Sequence, residues 1–268
     1  MEPATIAPSE LEEHLVYEDD RGHCMPYLLR PAADPPASRT LVILHGHGSN
    51  KRFAKFTSRD WNILCPFDRY GRGNHGTWWL GESGDDFVAA MLHGLIARVR
   101  AEIGGDQGLY FYGSSMGGYG AILHGLLLGA HAIYANIPQI RLRGTTYTDV
   151  TSQRNFVQLV GPERHPYEDL VELMRGYQPR ESPVFFIGQN RFDELDYLEQ
   201  HCFYFINACN ALGFNYHLEI HPLAGHTKPK TVAQSVALFD VYREAIEEWH
   251  AVRTNDPPTV RSDCPTRR

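Results

Sequence analysis

The sequence predicts an α/β domain in which helices flank a mostly parallel central sheet. Its short apolar runs are 40–46, 61–67, 108–114, 130–138, 182–188 and 215–223. Runs that are apolar throughout, without alternation, are typical of strands buried on both faces of a sheet. Segments with helical spacing separate them, at 83–103, 117–129, 194–212 and 230–250. Strand and helix therefore alternate from about residue 40 to 250, which favours right-handed crossover connections.

The ends and one insertion fall outside this alternation. Residues 14–20 and 24–31 are predicted to form an antiparallel pair at one edge of the sheet. Residues 141–181 contain a predicted helix or two and are interpreted as a small cap. Residues 1–252 are assigned to a single domain. The polar, proline-bearing residues 253–268 are expected to form a mobile C-terminal tail.

Composition excludes several classes of protein. The 268 residues are 43% hydrophobic, enough to fill a sizeable core and to argue against global disorder. A net charge of −7 without a basic block argues against nucleic acid as a partner. The acidic N-terminus lacks a signal-peptide pattern, and no apolar run approaches the roughly 18 residues that span a bilayer. We therefore expect a cytoplasmic protein without a membrane partner. The five scattered cysteines are interpreted as reduced structural thiols.

The stretch "FYGSSMGGYG", residues 111–120, holds the motif G-x-S-x-G around Ser115. It follows a predicted strand and precedes a predicted helix, the setting in which this motif forms a nucleophile elbow. Gly113 and Gly117 remove side chains that would collide across the turn. The strained turn projects the serine hydroxyl above the sheet, and the helix N-terminus favours developing negative charge. The alternative is a plain glycine-rich turn. Ser114 is the weaker candidate because the glycines do not frame it.

A serine hydroxyl needs a base to become a nucleophile at neutral pH. His226 follows the last predicted strand and precedes the last helix, in the stretch "HPLAGHTKP". This loop emerges at the carboxyl end of the sheet, as does the elbow, and α/β sheets form their sites at that end. His221 belongs to the strand and is expected to pack in the interior. His226 is therefore the candidate base, and the alternative is a surface or capping histidine.

The base in turn needs a carboxylate that holds its tautomer and stabilises the imidazolium. Asp193 lies in the loop after the strand at 182–188, between the serine and the histidine in chain order. It is the first candidate, although aspartate is also favoured as a helix N-cap. Asp196, predicted to fall in the first turn of the next helix, is the second candidate, and an acid elsewhere in the chain is the remaining alternative.

A tetrahedral oxyanion needs hydrogen-bond donors. One is expected to be the backbone N–H of Met116, which directly follows the serine. The other is expected from His47 or Gly48, in the turn "LHGHGSN" after the first central strand. His45 and His47 also allow an interpretation as a metal pair. A third ligand at suitable spacing is missing, so no metal is predicted, and no cofactor is implied.

The loop "DRYGRGNHGTWWLGE", residues 68–82, also emerges at the carboxyl end of the sheet. Trp78 and Trp79 are candidate substrate-binding residues, because indole faces stack on sugar rings and aromatic groups. Arg72 is a candidate partner for a substrate carboxylate. The alternative is that both tryptophans pack in the interior and that the arginine is an ordinary surface residue.

The stretches "LVILHGHGS", "YGSSMGGYGA", "FIGQNRFDELD" and "PLAGHTKP" together resemble the α/β-hydrolase superfamily, which carries its oxyanion loop, serine elbow, acid and histidine in this order. The resemblance covers roughly residues 25–250 and implies that fold with a Ser-His-Asp triad. The elbow is similar to that of esterase-like members acting on small or sugar-linked esters, including relatives of accessory-secretion acetyltransferases. One departure is an acid loop longer than the usual G-x-x-D, which leaves both aspartates as candidates.

These features predict a serine hydrolase that cleaves a small-molecule carboxylic ester through an acyl-enzyme, with a sugar-linked or aryl ester as the suggested substrate. An acyltransferase using the same triad is the first alternative. A non-catalytic binding protein with this fold is the second, although such a protein has no need to retain every member of the triad.

Overall fold

The computed structural model describes residues 14–49, 52–104, 107–150, 156, 159, 161 and 165–255. Its described strands form one sheet in the order β1-β2-β4-β3-β5-β6-β7-β8. The strands are β1 (Leu15–Glu18), β2 (Cys24–Arg30), β3 (Arg39–Leu44), β4 (Trp61–Pro66), β5 (Leu109–Ser114), β6 (Ala132–Asn136), β7 (Val184–Phe192) and β8 (Tyr216–Ala224). β2 pairs antiparallel with β1 and with β4, and every other pairing is parallel. The predicted parallel sheet with an antiparallel edge is confirmed.

The helices follow the predicted segments, except that one begins later than predicted and another is divided in two. Those with both ends described are α1 (Phe87–Ile103), α2 (Met116–Leu127), α3 (Leu170–Met174), α4 (Tyr204–Leu212, after a π-helical turn over Leu198–Phe203), α5 (Val232–Val241) and α6 (Arg243–Asn255), and residues 146–150 are also helical. The helical turns before α4 begin later than predicted because Leu195 and Asp196 have φ values of 51° and 57°, which a right-handed helix does not accept. The segment predicted as one helix over 230–250 is divided at Tyr242 into α5 and α6.

Both faces of the central sheet are buried, as the uninterrupted apolar runs predict. Val42 and Leu44 of β3 belong to one core cluster, whereas Leu41 and Ile43 belong to a second. Because successive side chains of a strand point to opposite faces, these two clusters lie on opposite sides of the sheet. α1 and α2 contribute to the first cluster, while α5 and α6 contribute to the second. The carboxyl ends of the parallel strands are thereby held at one edge of a rigid layer.

The described part of the segment 141–181 joins the main core. Leu142, Leu170 and Met174 are fully buried in the first core cluster. Tyr147 lines a cleft at the carboxyl end of the sheet. The role of this segment as a cap and the assignment of one domain stay predictions. α6 continues to Asn255, past the predicted boundary at 252, and the remainder of the predicted tail lies outside the described residues.

The structure describes four of the five cysteines. Cys24, Cys65, Cys202 and Cys209 are free thiols, and Cys264 lies outside the described residues. No helix within the described ranges combines the length and the apolar character needed to cross a bilayer.

Candidate active site

Ser115 occupies a sharp turn between β5 and α2, with φ 55° and ψ −117°. A positive φ at a residue other than glycine is strained and persists only where the surroundings enforce it. A Cβ at Gly113 would lie 1.9 Å from the carbonyl oxygen of Gly117. A Cβ at Gly117 would lie 2.3 Å from the carbonyl oxygen of Leu44. Both glycines that frame the serine are therefore required by the close approach of the backbone.

His226 lies beside the serine, in the loop after β8. Its Nε2 is 2.9 Å from Ser115 Oγ. The Nδ2 of Asn190, in β7, donates to the carbonyl oxygens of Gly225 at 2.9 Å and of Thr227 at 2.6 Å. These bonds fix the backbone on both sides of the histidine. His221, by contrast, lies within β8, where its backbone pairs with Asn190.

Asp193 approaches the other nitrogen of the imidazole. Its carboxylate oxygens lie 3.1 and 3.2 Å from His226 Nδ1, and its side chain is fully buried. Gln189 Nε2 donates to one of these oxygens at 2.8 Å. Asp196 turns away, and its carboxylate accepts from Thr146 Oγ1 at 3.0 Å. Of the two candidate acids, the structure brings Asp193 to the histidine.

The unusual length of the acid loop has a structural cause. β7 continues to Phe192, with an irregularity in its pairing between Asn190 and Phe192. Asp193 is therefore the first residue after the strand, and helical structure begins only at Leu198. Because Tyr197 directly precedes the first helical turn, Asp193 is not an N-cap residue.

The backbone donors expected at an oxyanion site differ in availability. Met116 is the first residue of α2, where an N–H has no partner within the helix. The N–H of Gly48 donates to the carbonyl of His75 at 2.9 Å, so it is occupied. The N–H of His47 makes no hydrogen bond within the described part of the chain. Of the two residues expected to supply the second donor, His47 is therefore the one whose N–H is available. The N–H of Gly48 is already bonded to His75, in the loop over 68–82.

His45 fixes the loop that carries His47. Its Nδ1 lies 2.9 Å from the carbonyl oxygen of Gly46, and its Nε2 accepts from the N–H of Asp68 at 3.0 Å. Desolvation lowers the pKa of His45 to about 4, so the ring is neutral at pH 7. Both ring nitrogens are thus engaged in shaping the loop. Among the described residues, no group of three or more His, Cys, Asp and Glu side chains is arranged to hold a metal ion.

The buried carboxylate of Asp68 organises the loop over 68–82. It accepts from the backbone N–H of Thr77, from Thr77 Oγ1 at 2.9 Å and from the N–H of Trp79 at 3.2 Å. Burial raises the pKa of Asp68 to about 6, against these donors, which favour the charged form. These hydrogen bonds hold residues 77–79 of the loop against Asp68, which lies two residues after the end of β4.

The structure corrects the interpretation of the two tryptophans as stacking residues. Trp78 and Trp79 are 1% and 0% exposed, so neither presents a free indole face. The Nε1 of Trp78 donates to Gln139 Oε1, and the Nε1 of Trp79 donates to the carbonyl of His45 at 3.4 Å. A Cβ at Gly120 would lie 2.4 Å from the Trp79 ring, which shows how closely this ring packs on α2. Both rings belong to the core beneath the loop.

Two cavities meet at His47. The first, of about 490 Å3, is lined by Ser115 and His226 and by Tyr147 on one side. The second, of about 380 Å3, is lined by residues that include Arg72 and Trp78. Arg72 is exposed and makes no hydrogen bond or ion pair within the described ranges. Ser115 and His226 thus line the first cavity, and Arg72 lines the second.

Residues that sequence reasoning missed support this arrangement. Tyr197 is 1% exposed, and its ring centroid lies 4.3 Å from that of His226. Its hydroxyl is buried beside Ser115 and Gln139 without a hydrogen bond of good geometry among the described residues. Nothing in the sequence distinguishes this tyrosine. Gln189 could have been singled out from the sequence, because it is a polar residue directly after the apolar run 182–188.

Neither a family model nor a curated protein sequence matches the chain. Three similar structures are an S-formylglutathione hydrolase from Agrobacterium tumefaciens, esterase 2 of Thermogutta terrifontis phosphonylated by sarin, and the capsule O-acetyltransferase of Neisseria meningitidis serogroup A. The first is 15% identical, with a TM-score of 0.62, over 90% of this chain and 94% of that one.

The other two are similar over comparable lengths. The esterase is 15% identical, with a TM-score of 0.63, over 93% of this chain and 99% of that one. The acetyltransferase is 18% identical, with a TM-score of 0.59, over 84% of this chain and 91% of that one. With its strand order, these similarities show that the chain has the α/β-hydrolase fold.

Proposed function

We propose that the protein is a serine hydrolase that cleaves a small-molecule carboxylic ester through an acyl-enzyme. The observation that carries the proposal is the 2.9 Å separation of Ser115 Oγ and His226 Nε2 at a strained elbow. Asp193, on the far side of the imidazole, supplies the third member of the triad. Such a constellation is recognised by geometry and roles, whatever the fold.

In the first half of the reaction, Ser115 Oγ attacks the ester carbonyl carbon while His226 Nε2 takes the hydroxyl proton. Negative charge develops on the carbonyl oxygen, and the N–H groups of Met116 and His47 are the proposed donors to it. The carboxylate of Asp193 stabilises the imidazolium through Nδ1. His226 then gives its proton to the departing alcohol, leaving Ser115 esterified with the acyl group.

In the second half, water takes the place of the alcohol. His226 accepts a proton from this water as it attacks the acyl carbon, and then returns the proton to Ser115 Oγ as the acid departs. The chain's own residues supply every proton transfer, so the proposed reaction needs no cofactor.

A fluorophosphonate probe tests this proposal. We expect it to label the wild-type protein on Ser115, because phosphonylation needs an activated hydroxyl and donors for the developing oxyanion. Ser115→Ala is expected to abolish labelling and esterase activity while the circular dichroism and melting temperature stay near wild-type values. Ser114→Ala is the matched control and is expected to keep both. Peptide mapping that finds the label elsewhere, or labelling that persists in Ser115→Ala, would contradict the assignment.

Asn190 is proposed as a positioning residue for the base. Asn190→Ala removes both donors to the loop of His226, so the imidazole loses its fixed distance to Ser115. We expect kcat to fall by about tenfold or more with little change in KM, because a misplacement of about 1 Å impairs reaction more than binding. Steady-state kinetics on an acetate ester provide the measurement. A rise in KM with kcat unchanged would mean that Asn190 serves the substrate and not the histidine.

Acyl transfer to an alcohol is the second candidate, because one similar structure is an O-acetyltransferase. The same acyl-enzyme would form, and an acceptor hydroxyl would then replace water. Adding a sugar or simple alcohol during turnover distinguishes the two. Acceptor-dependent acceleration with an acylated product favours transfer, whereas acid release at an unchanged rate favours hydrolysis. The burial of Trp78 and Trp79 removes the main support for a sugar-linked or aryl substrate.

A further inference from the structure

The cleft that holds Ser115 and His226 carries an unbalanced charge. Among the described residues that line it, Arg52 and Lys228 are the arginine and lysine, and no aspartate or glutamate is among them. Asp193 lies behind the imidazole, and its side chain is fully buried, so its charge is turned away from the cleft. A bound molecule would therefore meet cations in the lining of the cleft and no carboxylate among the described lining residues.

Neither cation has a polar partner among the described residues. Arg52 and Lys228 are exposed, and neither forms a hydrogen bond or ion pair within the described ranges. Lys230, which follows two positions later, is different, because its Nζ lies 3.0 Å from a Glu219 oxygen. Arg39, at the opposite end of its strand from the cleft, is bonded to Asp240 at 2.6 Å. The charges of Lys230 and Arg39 are thus paired with carboxylates, whereas Arg52 and Lys228 at the cleft have no such partner among the described residues.

The net charge of the whole chain is opposite in sign to that of the two cations at the cleft. The protein carries a net charge of −7, yet Arg52 and Lys228 line the cleft and no aspartate or glutamate is among its described lining residues. A concave site lined by one sign of charge concentrates ligands of the opposite sign, and its low-dielectric walls focus the field. Apolar walls are present here, since Ile43, Ala54 and Val232 also line the cleft.

We propose that the substrate is an ester bearing a negatively charged group, such as a carboxylate or phosphate, which Arg52 and Lys228 recognise. The inference rests on the proposed ester hydrolysis and adds the charge of the substrate to it. Lys228 stands two residues from His226, which delivers a proton to the leaving oxygen. We therefore expect an anion on the alcohol part of the ester to lie nearest Lys228. An anion on the acyl part is tested in the same experiment.

The test measures binding to Ser115→Ala, so it does not depend on turnover. The alcohol-side probes are 4-acetoxybenzoate and its neutral methyl ester, methyl 4-acetoxybenzoate. The acyl-side probes are the phenyl monoester of glutaric acid and its neutral methyl ester. We expect the anion of at least one pair to bind about tenfold more tightly than its neutral partner by calorimetry, consistent with one or two exposed ion pairs. Raising the salt concentration is expected to narrow the difference, because exposed charges are screened.

Variants assign the preference to the two cations. Adding Arg52→Gln and Lys228→Gln to Ser115→Ala is expected to abolish the anion preference while leaving the affinity for the neutral ester unchanged. Arg59→Gln is the matched control, since Arg59 is exposed and precedes β4 at the amino end of the sheet, away from the cleft. It is expected to keep the full preference.

The outcomes separate this inference from the proposed function. Equal binding of charged and neutral probes in both pairs would overturn the charge inference, as would a preference that survives in the Arg52→Gln, Lys228→Gln background. Failure of the fluorophosphonate to label Ser115 in the otherwise unaltered protein would overturn the hydrolase proposal alone. An anion preference that disappears with the two cations supports the inference in either case.

Discussion

Asp193→Asn is expected to lower kcat by about a thousandfold or more, whereas Asp196→Asn leaves kcat within a few-fold of wild type. The carboxylate of Asp193 accepts from His226 Nδ1, which keeps the proton on that nitrogen and leaves Nε2 free to accept from Ser115. An asparagine amide can instead donate to Nδ1. The imidazole then carries its proton on Nε2 and cannot act as a base toward the serine. A thousandfold loss corresponds to about 4 kcal/mol of transition-state stabilisation.

Steady-state kinetics and melting curves on both variants provide the measurement. Asp196 is the matched control, because it is an aspartate in the same segment whose carboxylate bonds to Thr146 and not to the histidine. Its loss is expected to affect stability by about 1 kcal/mol through the lost hydrogen bond. The reverse ranking of the two variants in kcat would move the acid to Asp196 and would require a different arrangement of the loop after β7.

The serine and the sheet were predictable because each leaves a local signature in the sequence. Ser115 needs glycines on both sides, since their backbones approach Leu44 and one another too closely for a Cβ. Strands buried on both faces need apolar side chains on both faces, and the stretches 41–44 of β3 and 109–112 of β5 have them. Steric and solvation requirements of this kind depend on neighbours that are close in sequence, so the pattern alone exposes them.

The candidate acid and the candidate oxyanion donor were less predictable because their positions depend on contacts between distant segments. The choice between Asp193 and Asp196 follows from the extension of β7 along β8, which the sequence does not announce. The availability of His47 over Gly48 follows from a hydrogen bond to His75. The buried tryptophans illustrate the same point, since an apolar indole on a loop suits a ligand site or the core, and only the packing decides.

Trp79→Ala is expected to destabilise the protein by about 3–5 kcal/mol, because it empties a large volume in a closely packed core. The Trp79 ring contacts Gly120 on α2 and lies 4.8 Å from the ring of His45, centroid to centroid. Losing the ring also loses the hydrogen bond to the His45 carbonyl, at the base of the loop that carries His47. We therefore expect a loss of activity in the molecules that remain folded, of similar size for a short acetate ester and for a larger aryl ester. Chemical denaturation gives the free energy of unfolding, and paired kinetics give the ratio of the two losses.

Trp249→Ala separates loss of stability from loss of the site. Trp249 is a partly buried tryptophan in the core cluster on the opposite face of the sheet, and its Nε1 donates to the carbonyl of Ser182 at 3.1 Å. Its truncation is expected to lower stability, while kcat/KM of the folded fraction stays near the wild-type value. A Trp79→Ala variant that raised KM for the aryl ester alone, with its melting temperature unchanged, would show that this ring meets the substrate. Because the ring is 0% exposed and covered by α2, that result would require the loop over 68–82 to open before the ester binds.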